Sequence, residues 1–122
     1  MTEPQPPTLS EVVRRAVEIV DPEGISGDVE RYFLHFEDRD EPISAIEDIQ
    51  AEAFDAATRM AAEDPVDPSV TMAAAVTTYL GFRRDQVDDD DLDILTLAAR
   101  AEFHGNPPPE IANWLDERGV EA

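Results

Sequence analysis

Ser69 to Leu80, which reads SVTMAAAVTTYL, decides the fold of this chain. Apart from its threonines the segment is apolar on every side, and it lacks the period-two alternation that is typical of a half-buried strand. Asp67 and Pro68 stand before it as a cap and first-turn pair, and Gly81 is expected to end it. A helix that is apolar all round is stable only when other elements surround it. We therefore expect a helix at the centre of a bundle.

Two amphipathic helices are predicted near the start of the chain, after a proline-rich lead-in, residues 1–7, that is expected to be disordered. Thr8 and Glu11 form a capping-box pattern, and the first helix is expected to end before Asp21, which precedes a proline. Ser26 can cap the second helix. Its apolar positions recur at the spacing of one buried stripe, which is expected to form the aromatic heart of the core: Val29, Tyr32, Phe33 and Phe36.

A third helix is predicted to begin near Pro42 and to continue past Met60. Its apolar residues lie on one side, and its alanines allow close contacts with neighbouring helices. Four acids lie largely on the other side: Glu47, Asp48, Glu52 and Asp55. Facing carboxylates on packed helices can perform acid–base or metal chemistry, but in a chain with 29 acids a solvated outer face is the simpler interpretation.

Two helices are predicted after the central one. The fifth runs from about Asp89 to His104, and the sixth begins after the prolines of NPPPE and is closed by Arg118 and Gly119. No segment predicts a strand, and neither an internal repeat nor a domain boundary is visible. The predicted fold class is therefore all-α, a compact bundle of about five to six helices, with residues 8–122 forming a single helical domain.

The composition excludes several classes of protein. The chain has no cysteine, so it can form neither a disulfide nor a thiolate metal site. Its start lacks the basic and apolar segments of a signal peptide, and no apolar run approaches the length of a membrane span. We expect a cytoplasmic protein that holds no cofactor.

Net charge is the outstanding feature of the composition. The chain carries 29 acids and 9 basic residues, all of them arginine, for a formal net charge of -20. The excess is spread over both halves of the chain, a distribution that general solvation in a salt-rich cell would also produce. A field of this sign repels phosphate and anionic lipid, so nucleic acid and membrane surfaces are not predicted as partners. A basic protein surface is favoured instead.

Aspartates are densest at the predicted start of the fifth helix: Asp88, Asp89, Asp90, Asp91 and Asp93. One aspartate at the N-cap and one or two in the first turn satisfy free backbone N–H groups and oppose the helix dipole, each contributing about 0.5 to 1 kcal/mol. The others repel one another, and are expected to splay into water, to pair with Arg83 and Arg84, or to meet a cation or a basic partner. A calcium loop is not predicted, because Ile94 and Arg100 occupy the positions of its glycine and its glutamate.

Catalytic and metal sites find little support in the sequence. His35 and His104 are the only histidines, and neither has the Glu-x-x-His spacing of di-iron bundles. Both fit structural positions, beside the aromatic stripe and in a last helical turn respectively. In the segment GISGD, Gly24 and Gly27 flank the start of the second helix, but neighbouring acids would repel a phosphate and the chain has no lysine. We predict a turn there, and no catalytic residue or metal ligand anywhere.

Trp114, the sole tryptophan, lies between Ile111 and Leu115 on the short last helix. It can close the core or remain exposed as an anchor for a partner, and the core role is favoured. The candidate partner-binding residues are the five aspartates of the run together with Trp114.

The leading functional hypothesis is a non-enzymatic protein whose acidic surface docks on a basic protein surface. Its net charge of -20 equals that of about 10 base pairs of DNA. One version is therefore an inhibitor, antitoxin or immunity-type protein that covers a nucleic-acid-binding site. The alternative enzyme holds magnesium or manganese between helices and requires buried, convergent acids. A third hypothesis is a bundle that self-associates in a salt-dependent way through the alanine-rich faces of helices three and four.

Overall fold

A computed structural model describes residues 7–82 and 90–120 of the chain. These residues form six α-helices and no strand, which confirms the predicted all-α bundle. A short 3₁₀ helix, Ile43–Ala45, lies between the second and third of them. The helices are α1 (Leu9–Val20), α2 (Gly27–Leu34), α3 (Ile49–Glu63), α4 (Pro68–Phe82), α5 (Asp91–Phe103) and α6 (Pro109–Glu117).

The central helix of the bundle is α4, as its apolar sequence predicts. It packs against each of the other five α-helices. Every residue from Met72 to Thr78 is buried, and because this run covers nearly two turns, all sides of the helix are enclosed. Helix α3 packs against α4, and the buried alanines of α3 are Ala53, Ala56 and Ala57.

Gly81 does not end α4, which continues through Phe82. A Cβ atom added at Gly81 would lie 2.6 Å from Cγ1 of Ile49, the first residue of α3. The expectation that this glycine terminates the helix was therefore wrong. The absent side chain lets α4 approach the start of α3 closely.

The start of α3 lies at Ile49, well after the predicted start near Pro42. Asp48 is the N-cap, and its carboxylate accepts a hydrogen bond from the Ala51 N–H at 3.1 Å. The predicted boundary was wrong because apolar spacing continues from Ile43 into the true helix, although the intervening backbone is not α-helical.

The segment ahead of α3 is held by the start of α1. The first N–H groups of a helix have no partner within it. The Leu9 N–H of α1 donates to the Glu41 carbonyl at 3.0 Å, and the Ile43 N–H donates to the Pro7 carbonyl at 2.8 Å. These bonds hold the backbone around Glu41 and Ile43 against the start of α1, so this segment cannot continue α3 towards the N-terminus. They also tie down the last residue of the predicted lead-in, whose other residues lie outside the described ranges.

The caps predicted for the first two helices are confirmed. Thr8 and Glu11 form a reciprocal capping box, in which the Glu11 N–H donates to the Thr8 hydroxyl at 3.3 Å. Helix α1 then ends at Val20, as expected. The Ser26 hydroxyl accepts from the Val29 N–H at 3.3 Å and caps α2. Both caps satisfy N–H groups that the helix leaves without a partner.

Tyr32 of α2 joins three helices in the core. Its ring centroid lies 5.2 Å from that of Phe36, and both side chains are buried, whereas Phe33 is half-buried. The Tyr32 hydroxyl donates to the Ala53 carbonyl of α3 at 2.9 Å. Burial raises the pKa of Tyr32 well above its usual value, and the Thr77 hydroxyl of α4 lies nearby. Tyr32 and Phe36 thus form the expected aromatic heart of the core.

Two neighbouring threonines of α4 are expected to respond in opposite ways to replacement by valine. The buried Thr77 hydroxyl lies near the Tyr32 phenol, yet it makes no hydrogen bond of acceptable geometry to any described residue. The Thr78 hydroxyl donates to the Ala74 carbonyl at 2.8 Å. We expect Thr77→Val to raise the free energy of unfolding by up to about 1 kcal/mol, and Thr78→Val to lower it by about 0.5 to 1 kcal/mol. Urea denaturation measures both; a destabilised Thr77→Val variant would show that its hydroxyl is bonded.

Candidate interaction surface

Acidic side chains of the described residues all lie at the surface. No Asp or Glu within residues 7–82 and 90–120 is buried, and the buried polar side chains there are Ser69, Thr77 and Thr78. The same part of the chain contains no group of three or more His, Asp or Glu side chains placed to hold a metal ion. The apolar interior therefore contains none of the described carboxylates.

The four acids predicted on the outer side of the third helix have separate surroundings. Asp48 is the N-cap of α3, and Glu47 is exposed. The Glu52 carboxylate accepts from Arg39 Nη2 at 3.3 Å, and Asp55 pairs with Arg59 at 2.7 Å. These pairs lie at the surface, where an ion pair contributes about 0 to 1 kcal/mol. The acids therefore form a solvated outer face, the interpretation that the sequence favoured.

The aspartate run at the start of α5 is described from Asp90 onward, and the predicted contacts Asp88 and Asp89 lie outside the described residues. Asp90 occupies the N-cap, but its side chain makes no capping hydrogen bond. Asp91 and Asp93 lie exposed in the first turn, where their charges oppose the positive end of the helix dipole. An aspartate is thus the N-cap, as expected, but its capping bond is not made, and α5 begins at Asp91, slightly after the predicted start near Asp89.

Trp114 lies in the core, with 7% of its surface exposed. The Arg118 guanidinium covers the indole, its Cζ atom 3.7 Å from the ring centroid, and Arg118 Nη1 donates to the Trp114 carbonyl at 3.2 Å. This is the core role that the sequence favoured. Contact with a partner would require Arg118 to move aside, so Trp114 is not part of the surface proposed below.

The two histidines lie at helix ends. His35 is the C-cap of α2. His104 is the C-cap of α5, with a φ of 54° in the left-handed region, and Gly105 follows with a φ of 80°. Both histidines are exposed. Their positions agree closely with the structural positions expected from the sequence.

The loop between α1 and α2 is fixed by its own side chains. The Asp21 carboxylate accepts from the Ile25 N–H at 3.2 Å and from the Ser26 N–H at 2.9 Å. The Ser26 hydroxyl donates to the Asp67 carboxylate, ahead of α4, at 3.0 Å. Residues 24–26 of GISGD therefore lie in a loop, as the sequence predicted, whereas Gly27 and Asp28 already begin α2, and the loop is anchored to a second part of the bundle.

A further link ties the start of α2 to the start of α4. The Asp28 carboxylate accepts from the Asp67 N–H at 2.9 Å and pairs with Arg31. The Asp67 N–H, and after it the Arg31 guanidinium, hold the pKa of Asp28 below its usual value. The Asp28 carboxylate thus has a structural role, since it connects α2 to the start of α4.

A groove of about 360 Å³ lies between α1 and α2 beside this loop. Its apolar residues, Val17 and Phe33, are half-buried. The guanidinium of Arg14 lies over the Phe33 ring, with Cζ 5.5 Å from the ring centroid. The other residues lining the groove are Glu18, Asp21, Gly24, Ser26 and Glu30. Three carboxylates and one guanidinium therefore surround an apolar floor.

This groove was not predicted from the sequence. Arg14, Val17 and Glu18 share one face of α1 at the i, i+3, i+4 spacing, and that spacing is the signal that could have indicated it. The opposite wall comes from Phe33 and Glu30 of α2, and its approach depends on how the two helices pack.

The described residues form a small all-α bundle with an apolar core in which no Asp or Glu is buried. No family model, curated protein or solved structure matches the chain. None of the described helices combines the length and the apolar composition that crossing a membrane requires.

Proposed function

We propose that this protein is a non-enzymatic interaction protein whose carboxylate surface docks on a basic protein surface. The observation that carries the proposal is that no described Asp or Glu is buried in the apolar core. Charges of one sign at the surface accelerate encounter with a partner of the opposite sign and disfavour other partners. One version of the proposal is an inhibitor, antitoxin or immunity-type protein that covers a nucleic-acid-binding site.

The arginines cannot neutralise this surface. The chain has 9 arginines against 29 acids. Arg31, Arg39 and Arg59 pair with acids that lie near them, and Arg14 and Arg118 stack on aromatic rings. A basic partner would therefore meet a surface on which negative charge greatly exceeds positive charge.

The start of α5 is the part of this surface that we propose as a contact. Asp90, Asp91 and Asp93 are exposed there, and Leu92 between them is 53% exposed. An apolar side chain among the carboxylates adds contact area that excludes water, which charge alone does not supply. Asp88 and Asp89 lie outside the described residues, and they remain predicted contacts.

The two alternative hypotheses receive less support. Carboxylate-dependent metal chemistry needs buried, convergent acids, whereas none of the described acids is buried and no three of them are placed together to hold a metal ion. Helices α3 and α4 pack against each other within the chain, and Ala53, Ala56 and Ala57 of α3 and all three alanines of α4 are buried. Salt-dependent self-association stays a prediction, and we do not propose it through those alanines.

Binding to a purified basic partner tests the proposal. Affinity capture from a lysate of the source cells, at low and high salt, supplies candidates, and calorimetry with each purified candidate gives the Kd. We expect a complex whose Kd weakens by at least about tenfold between about 50 and 200 mM salt, because several charge pairs must form. If no purified basic candidate binds at the lower salt concentration, the proposal is wrong.

Two matched triple variants locate the contact. Asp90→Asn, Asp91→Asn and Asp93→Asn remove three charges at the start of α5. Glu110→Gln, Asp116→Asn and Glu117→Gln remove three exposed charges on α6. We expect the α5 variant to weaken binding about tenfold or more and the α6 variant only about two- to threefold. Both variants weaken the negative field of the protein equally, but only the α5 variant also loses direct contacts with the partner. Equal weakening would place the contact elsewhere.

A further inference from the structure

We infer that the groove between α1 and α2 binds an arginine side chain of the basic partner. This inference rests on the proposed function, because it requires a cationic protein partner, and it names the chemistry of one contact. The groove, its apolar floor and its surrounding carboxylates all belong to the described part of the chain.

The floor of the groove suits the aliphatic part of an arginine side chain. Val17 of α1 and Phe33 of α2 are half-buried and form this apolar floor between the two helices. Arginine packs its methylene groups on apolar surface while its charged end stays near water. A cavity of about 360 Å³ has room for one such side chain.

Carboxylates stand on both walls above this floor. Glu18 of α1 and Glu30 of α2 line the groove and are exposed. The Asp21 oxygens accept loop N–H groups, but its charge adds to theirs. A guanidinium presents five N–H donors in one plane and can meet carboxylates on two sides, whereas the lysine ammonium is compact and more strongly hydrated. The arrangement therefore favours arginine over lysine.

Arg14 shows that the Phe33 ring accepts a guanidinium, because its own lies over that ring with Cζ 5.5 Å from the centroid. The separation is within the range of a cation–π contact. A second such stack within the described ranges, Arg118 on Trp114, has a separation of 3.7 Å and lies against the core. Arg14 is also the one positive charge that lines the groove among the residues that the structure describes, so it repels an incoming guanidinium and competes for the ring.

Two short peptides test the inference with the full chain. Acetyl-Gly-Arg-Gly-amide and its lysine counterpart are titrated while amide resonances are followed by NMR. A single-residue contact is expected to bind with a Kd on the order of millimolar. We expect saturable shifts at residues 14–33 with the arginine peptide, and binding of the lysine peptide about threefold or more weaker.

Charge-matched variants separate the groove from the general field. Glu18→Gln with Glu30→Gln is expected to weaken arginine-peptide binding about tenfold, whereas Glu110→Gln with Glu117→Gln on α6 should change it by less than about twofold. Arg14→Gln is expected to strengthen binding several-fold, and Arg59→Gln on α3, which removes the same charge away from the groove, should not. Equal effects within either pair, equal binding of the two peptides, or shifts outside the groove would overturn the inference.

The outcomes also separate this inference from the proposed function. A purified basic partner that binds in a salt-sensitive way, with no effect of the groove variants, would leave the proposed function standing and refute the arginine site. An arginine peptide that shifts the groove residues, with no basic protein bound, would support the site and refute the proposed function.

Discussion

Replacing Tyr32 with alanine is expected to lower the free energy of unfolding by about 3 to 5 kcal/mol, the range for deleting a buried aromatic side chain. The side chain is fully buried, packs on Phe36 and bonds α2 to α3 through the Ala53 carbonyl. Its removal leaves a cavity where α2, α3 and α4 meet. By contrast, Tyr32→Phe keeps the ring and loses one hydrogen bond, so we expect a loss of about 1 kcal/mol.

Urea denaturation of the two Tyr32 variants checks this difference. Tyr79→Phe is the control, because Tyr79 is the other tyrosine of the chain and is half-buried. It should change stability by less than about 0.5 kcal/mol. If Tyr32→Ala were no less stable than Tyr32→Phe, the ring would not fill the space between the three helices.

Alkaline pH provides a second measurement on the same side chain. Burial raises the pKa of Tyr32 in the folded state above its unfolded value. Its contribution to stability is therefore complete below about pH 10 and is lost as the pH rises beyond that value. We expect Tyr32→Phe to reduce the loss of stability above about pH 10, compared with Tyr79→Phe. An identical pH dependence in both variants would show that Tyr32 ionises without unfolding.

Gly81→Ala is expected to lower the free energy of unfolding by about 1 to 3 kcal/mol, the cost of overpacking a core. Helix propensity alone predicts the opposite, because alanine is favoured over glycine by about 1 kcal/mol inside a helix. Steric contact outweighs that gain here: the new Cβ would lie 2.6 Å from Ile49 Cγ1 and 3.3 Å from Ile49 Cβ. Ile49 is buried and cannot swing away freely.

Thermal and urea unfolding of Gly81→Ala, Ile49→Ala and the double variant test this contact. Once Cγ1 is removed, the added methyl group has room, so the double variant should lose less stability than the two single losses together. Gly27→Ala is the matched control, because a Cβ there meets no atom within 4 Å and the position begins α2. It should be neutral or slightly stabilising. Gly81→Ala as stable as the parent protein would contradict the close approach of α3 and α4.

The functional proposals depend on a different property, the placement of charge. Carboxylates spread over both halves of a chain are also what general solvation in a salt-rich cell would produce. The matched α5 and α6 variants distinguish the two explanations. A general field predicts equal effects of equal charge removal, whereas recognition predicts a larger effect at the contact.

Local order along the chain was predictable from short stretches of residues. The caps at Thr8 and Ser26 involve atoms within a few residues of each other, so their patterns predicted the starts of α1 and α2. The central position of α4 followed from its lack of a polar face. Most acids were also expected to lie at the surface, because burying an unpaired carboxylate is costly.

Contacts between residues that are far apart in the sequence were not predictable in this way. Ile43 continues the apolar spacing of α3, yet hydrogen bonds with the start of α1 keep its segment out of that helix. Gly81 has the pattern of a helix end, but its absent side chain makes room for Ile49. The groove of Arg14 and Phe33 likewise exists only through the packing of two helices. Helix periodicity and capping are encoded over one or two turns, whereas these three features depend on which surfaces meet after the helices have formed.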